Sequence, residues 1–224
     1  MRCVRVRFSK SGDMIYISHL DINRMMTRAV RRAHLPMWYT EGFNPHPYIA
    51  FALPLPLGQS SECEFMDIRI EGDMTNAEVI EKLRSVMPQG VGIVSAEDPV
   101  HSANEINKAQ YSVTLDFSSE EQAEQFCSEA QKLLGGESLI AQKTGKKGHR
   151  KVLKEVNLIE QIFDWSVSAD GDSAKLNLTL AAGNTVNLNP ALLIETLQKH
   201  TGVDAEQQHI VRQAILTADG EEFC

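Results

Sequence analysis

The sequence predicts an α+β protein, and three observations carry that reading. Val4, Val6 and Phe8 alternate with Arg5 and Arg7, the period-two pattern of a half-buried strand. Apolar residues from Ile22 to Ala33 recur at three and four, the period of a helix with one buried face. These two element types then follow one another as β-α-β-β-α-β over the first hundred residues.

After the first strand, Ser18-His19-Leu20-Asp21 opens the helix, with Ser18 as cap and Asp21 closing a capping box at the positive end. It runs to about residue 34, where Pro36 forbids continuation. A Gly/Pro-rich stretch, 42–47, precedes a strand near 48–53. The turn at 54–58 then leads to a strand near 62–71, a helix over 76–87 and a strand over 91–96. That order is the split βαβ of ferredoxin-like folds, with two helices on one face of an antiparallel sheet.

Residues 97–109 are polar and read as a linker. Beyond them come a strand over 111–117, a helix over 120–134, a strand near 138–143 and a basic loop. A short helix near 156–163, a strand around Leu176, Leu178 and Leu180, a helix over 190–200 and a strand near 210–217 complete the chain. The expected architecture is therefore two ferredoxin-like domains in tandem, 1–98 and 108–224. The second is irregular, with an inserted helix and the basic loop 143–154.

Composition excludes several classes. Hydrophobic residues at 42% and charged residues at 23% are globular values, so neither disorder nor a collagen-like repeat is expected. No apolar run approaches the roughly 18 residues of a membrane span, and no apolar signal core follows the first charges, so a cytoplasmic protein without membrane contact is expected. Cys3, Cys63, Cys127 and Cys224 include no short pair, which argues against a zinc knuckle, a disulfide framework or a cysteine-ligated iron–sulfur cluster. No cofactor or metal site is expected.

Charge is uneven. Net charge is −8, yet residues 1–60 hold eight basic and three acidic side chains, so they carry +5 and the remainder −13. Within that acidic remainder, 143–154 holds six cations and no acid. Two basic islands on an acidic body can hold an anion locally while the rest repels polyanions. An exposed charged surface is the plainer explanation of each island taken alone.

Three groups of residues are chemical candidates. Arg24, Arg28 and Arg31 form a narrow stripe opposite the apolar face of the first helix, spaced for successive phosphates or for a carboxylate-rich surface. Strand phase sends Arg5 and Arg7 to the face away from the helices, with Tyr48, Phe65 and Arg69, an arrangement like a single-stranded RNA platform. Packing against the other half of the chain, with Phe65 and Tyr48 as interface core, is the plainer explanation of those rings. His19, at the helix start, and His46, between two prolines, are the pair available for metal-independent acid–base cleavage of RNA; a cap and a rigid loop account for them without catalysis. Lys146, Lys147, Arg150 and Lys151, in the glycine-bearing loop, would add phosphate contacts. With the Arg24 stripe they would make a clamp, if the two border one groove.

Several segments together resemble a known bacterial family: Phe8-Ser9-Lys10-Ser11-Gly12, Ser18-His19-Leu20-Asp21, Arg28-Ala29-Val30-Arg31-Arg32-Ala33, Leu35-Pro36, Glu41-Gly42-Phe43-Asn44-Pro45-His46-Pro47 and Pro54-Leu55-Pro56-Leu57-Gly58. The chain resembles a stand-alone member of the radical SAM-associated domain of unknown function, found beside a radical SAM enzyme or as its C-terminal extension. Thr40 stands where many members have serine. The resemblance implies a partner enzyme more firmly than an activity, since the family has no established reaction. Tandem ferredoxin-like domains with a basic loop are also similar to CRISPR repeat-processing endoribonucleases, an analogy of architecture that does not transfer catalysis.

The expected function is a non-catalytic accessory of a radical SAM enzyme that binds RNA and presents it for modification. Arg5, Arg7, Lys10, Arg24, Arg28, Arg31, Lys146, Lys147, Arg150 and Lys151 would hold the nucleic acid. The alternatives are a metal-independent endoribonuclease using His19 and His46, or a protein-binding scaffold with no RNA contact.

Overall fold

The computed structural model describes residues 1–147, 150–183 and 185–224; the side chains of 143–154 lie outside the described residues. The described residues form a mixed α+β structure with four α-helices and predominantly antiparallel strand pairing. The chain divides into two compact units, Met1–Ile106 with Arg212–Cys224, and Asn107–Val211. Among the described residues no helix is long and apolar enough to cross a membrane.

The first unit runs β1 (Arg2–Lys10), α1 (His19–Arg32), β2 (Ile49–Phe51), β3 (Ser60–Ile70), α2 (Asn76–Arg84) and β4 (Val91–Glu97). β1 lies between β4 and β3, and β2 pairs with β3 over Ile49–Phe51, all antiparallel. Alternation works as the sequence requires: Val4, Val6 and Phe8 of β1 and Met66, Ile68 and Ile70 of β3 face one core. Ile22, Met26 and Val30 of α1 and Val79 and Leu83 of α2 close that core, so both helices cover the same sheet face.

Local chemistry sets the helix ends. The Ser18 hydroxyl accepts from the Asp21 backbone N–H at 3.2 Å and donates to the Asp21 carboxylate at 2.6 Å. Thr75 and Glu78 form a reciprocal capping box at the start of α2. α1 stops before Pro36 is reached, because His34 takes a left-handed conformation, φ 50°. The Leu35 N–H then returns to the Val30 carbonyl at 3.1 Å.

The second unit contains β5 (Ile106–Asp116), α3 (Glu120–Leu134), β6 (Ile140–Lys147), β7 (Arg150–Asn157), β8 (Ile162–Asp170), β9 (Ser173–Ala181) and α4 (Pro190–Thr201), followed by β10 (Gln207–Thr217). β5 pairs antiparallel with β9, and β9 with β8. β10 crosses the boundary between the units, which falls between Val211 and Arg212.

Two expectations for this unit are corrected. The inserted element is a β-hairpin, β6 with β7, and not a helix near 156–163. Only a single 3₁₀ turn, Ile159–Gln161, forms there, because Asn157 is spent elsewhere: its side-chain oxygen accepts from the Leu139 N–H at 2.9 Å and its amide donates to the Glu137 carbonyl. β-Branched Val156 and Ile162, at either side of the turn, also favour extended chain. β8, unforeseen in the sequence, follows directly. The 97–109 stretch is not purely linker either, since residues 103–105 form a capped 3₁₀ turn and β5 begins at Ile106.

Candidate nucleic-acid interface

The sheet face of the first unit that turns away from α1 and α2 carries the residues of opposite phase. Register places Arg5 across from Asp67, Arg7 across from Phe65 and Cys3 across from Arg69. Predicted from alternation, this set is now defined by its partners, and they differ sharply along the strand.

Arg5 is 4% exposed and engaged through all three guanidinium nitrogens. Its Nε and one terminal nitrogen bind both Asp67 oxygens at 2.7 and 2.8 Å, and the other donates to the carbonyls of His101 and Cys224, each at 2.7 Å. Its guanidinium also covers the Phe223 ring at 4.3 Å. The segment Glu221–Cys224 thereby lies against the sheet, with Phe223 edge-on to Phe65 at 5.2 Å and Val100 and His101 donating to the Cys224 carbonyl. Arg5 is a structural residue, and the expectation that it grips phosphate is corrected: it is buried, and four of its five N–H donors are spent within the protein.

Lys10 is corrected for the same reason. It is 2% exposed, and its ammonium donates to the Ile15 and Ile17 carbonyls at 3.4 and 3.2 Å. Burial pushes its pKa down, partly opposed by Glu64. Glu64 in turn accepts from Arg212 at 2.9 Å, a buried pair whose guanidinium also reaches the Leu53 and Pro54 carbonyls.

Arg7 is different. Its terminal nitrogen is 3.9 Å from Glu222, while its buried Nε makes no hydrogen bond. It lines a cavity of about 190 Å³ with Phe65, Ser95, Glu97 and Glu222. An unpaired buried donor is costly, and an acceptor arriving in the cavity would relieve it.

Farther along the face, the Arg69 guanidinium sits 4.2 Å from the Tyr48 ring and 5.3 Å from the Trp38 ring. Among the described residues no carboxylate stands within ion-pair distance of it. The two rings, 6.1 Å apart, are only partly buried. They are held by a ladder beside β3: the Trp38 N–H donates to the Arg69 carbonyl and the Tyr48 N–H to the Trp38 carbonyl. At the ladder's tip the Thr40 N–H donates to the His46 carbonyl, and the His46 N–H donates to the Thr40 hydroxyl. His46 Nδ1 is 3.1 Å from that hydroxyl and 3.0 Å from the Asn44 carbonyl, and Phe43 is fully exposed beside it. Trp38 was missed in the sequence because the segment after His34 carries no strand periodicity; it is extended through isolated bridges, Met37 with Ile70 and Tyr39 with Pro47.

His19 lies elsewhere, edge-on to Phe51 at 5.0 Å, in a narrow pocket lined by Phe8, Ile22 and Leu55 together with the charged Lys10 and Glu64. Neither histidine hydrogen-bonds to the other: His46 is tied to its own loop and His19 packs on a ring. Among the described residues no group of three His, Cys, Asp or Glu is placed to hold a metal ion.

The arginine stripe of α1 is solvent-exposed, with its helix between it and the sheet. Arg24 pairs with Asp21 at 3.3 Å, while Arg28 has no hydrogen-bond or ion-pair partner among the described residues. Together with Arg32 they edge a groove of about 570 Å³ completed by Val86, Met87 and Pro88. Arg32, and not Arg31, is the third arginine of that groove. Helical phase put Arg31 nearer the stripe's centre, but the chain leaving α2 packs on the Arg28–Arg32 side, where Arg32 donates to the Val86 carbonyl. The sites expected at Lys146, Lys147, Arg150 and Lys151 fall on side chains outside the described residues.

A family model described as "Uncharacterized protein conserved in bacteria (DUF2344)" matches residues 3–190. The chain belongs to this family. The match establishes a bacterial family of unknown function, and the radical SAM pairing implied by the motifs goes beyond it. Among curated proteins none matches. Among solved structures the chain is similar to one in "Crystal Structure of a Cbf5-Nop10-Gar1 Complex", at 8% identity and a TM-score of 0.50, covering 95% of this chain and 48% of that one. The chain thus spans about half the length of that relative, and the likeness concerns the fold alone. An unknown protein from Galdieria sulphuraria (13% identity, TM-score 0.26, 94% and 98% covered) is too distant in structure to carry an argument. A heavy metal efflux pump (8%, 0.26, 94% and 28%) is equally distant.

Proposed function

We propose that this DUF2344 protein is a non-catalytic accessory of a radical SAM enzyme, and that it binds single-stranded RNA on the sheet face of its first unit. One observation carries the RNA reading: Arg69, a cation with no carboxylate partner among the described residues, is stacked on two partly exposed rings, Trp38 and Tyr48. Rings give bases a stacking surface and the guanidinium gives a phosphate its counter-charge.

The cavity at Arg7 extends the same face. Its unpaired Nε suits a carbonyl or phosphate oxygen, and Glu97 and Glu222 would accept from exocyclic amino groups. The radical SAM partner rests on the motif resemblance in the first 60 residues. The same β-α-β-β-α-β path, with β2 beside β3 and β1 between β3 and β4, supports reading the first unit as ferredoxin-like. In the second unit β5, β9 and β8 follow the same scheme, interrupted by the β6–β7 hairpin.

The test is fluorescence anisotropy of a labelled twelve-nucleotide single-stranded RNA across a salt series. Base–aromatic stacking is worth about 1–3 kcal/mol per base, so Trp38→Ala should weaken binding about 5- to 150-fold. Arg69→Ala should lower the salt slope by about 1. Binding indifferent to both substitutions removes the reading.

A further inference from the structure

The groove on α1 lies on the helix-covered side of the first unit, opposite the sheet face assigned to RNA. Its composition differs from that of a phosphate site. Arg24, Arg28 and Arg32 form one charged rim, while Met25, Ala29, Val86, Met87 and Pro88 give it an apolar floor. A phosphate backbone would use the rim and leave the floor against water. A partner helix with carboxylates on one edge and apolar side chains on the next would satisfy both.

We propose that this groove docks an acidic amphipathic helix of the partner protein. The proposal rests on the reading of the chain as an accessory. Arg24, Arg28 and Arg32 are spaced four residues apart on α1, about 6 Å per step along the axis. Carboxylates at positions four apart on a partner helix repeat at the same interval, so each arginine meets one acid. Asp21 is the groove's own carboxylate and already pairs with Arg24, which leaves Arg28 as the central uncompensated charge. The Arg32 bond to the Val86 carbonyl ties the two walls together, so the groove is formed before anything enters it. Met25 and Met87 line the floor with unbranched thioethers that adapt to varied apolar side chains. Because groove and RNA face lie on opposite sides of the helix layer, both ligands can be held at once.

The experiment uses the whole chain with carbon-13 methionine methyls, eight signals in all. The probe is a synthetic amphipathic helical peptide with Glu at positions four apart and Leu and Phe on the adjoining face. The expected result is perturbation of Met25 and Met87 at tens of micromolar peptide. Arg28→Glu should weaken this at least tenfold, and a peptide with Lys in place of the central Glu alone should recover it. Arg28 is exposed, so that variant should fold as the parent does. Silence of both methyls at millimolar peptide, or equal binding of the all-Glu and central-Lys peptides to the parent, overturns the proposal. So does their perturbation by single-stranded RNA instead of the peptide. Anisotropy of labelled RNA in the same samples reads the sheet face separately, so loss of one function is distinguishable from loss of the other.

Discussion

Removing the Arg5 side chain should destabilise the first unit by about 3 kcal/mol. Breaking a buried ion pair by deleting one member costs about 3–5 kcal/mol, because the surviving charge stays buried without compensation. Here the survivor is Asp67, 20% exposed, so water recovers part of that cost and the lower end applies. Arg5→Ala also strips the His101 and Cys224 carbonyls of a donor and the Phe223 ring of its covering cation. For a chain of this size the loss corresponds to a fall in melting temperature of about 6–12 °C. Urea denaturation gives the free energy, and hydrogen exchange over residues 221–224 reports whether the C-terminal segment has come off the sheet. Asp67→Ala combined with Arg5→Ala should cost less than the sum of the two, since no orphaned charge remains. A loss below about 1 kcal/mol with the segment still protected would refute the structural role of Arg5.

Three further outcomes follow from the same geometry. Burial pushes the Cys63 thiol up to about 12, so Cys63 should resist alkylation at pH 8 until the protein unfolds, while half-exposed Cys3 and Cys224 react first; mass spectrometry showing early Cys63 modification contradicts this. Hydrogen bonds from Ser18 and Thr75 hold the Asp21 and Glu78 carboxyls below their usual range, so their contribution is present above the unfolded carboxyl pKa. It is lost as pH falls through the lower folded value. Ser18→Ala should raise the Asp21 midpoint in carboxyl carbon NMR, and Thr75→Ala should raise that of Glu78 by the smaller share the hydroxyl supplies, since the residue 75 N–H still donates to it; unchanged midpoints would deny the hydroxyls their role. Finally, labelled RNA incubated with the protein in chelator should stay intact; cleavage abolished by His19→Ala or His46→Ala would restore the nuclease alternative.

How legible all this was depended on how local the physics is. The 120–134 helix was read to the residue, since Ser119 caps it and its apolar spacing is self-contained. Strand phase in β1 and β3 gave the composition of the sheet face before any register was known. What strand phase could not give was the partner of each cation. Arg5 and Arg7 look alike in the sequence, yet one is bound by Asp67 across β3 and by the chain terminus more than 200 residues away, and the other keeps an unpaired donor. The same blindness to distant neighbours hid Trp38, which is placed by a ladder onto β3, and preferred Arg31 to Arg32, which the chain after α2 selects. The hairpin mistaken for a helix is the reverse case, where a short apolar run fits either period and Asn157 decides by bonding backward to residue 139.

The most direct trial of the sheet face uses the tryptophan that belongs to it. Trp38 and Trp165 are the two tryptophans of the chain, so Trp165→Phe leaves emission from Trp38 alone. Titrating that variant with single-stranded RNA should quench the emission in step with binding, with less quenching by duplex RNA of the same length, whose bases are already stacked. Saturable RNA binding that leaves Trp38 emission unchanged would place the nucleic acid elsewhere and contradict the assignment.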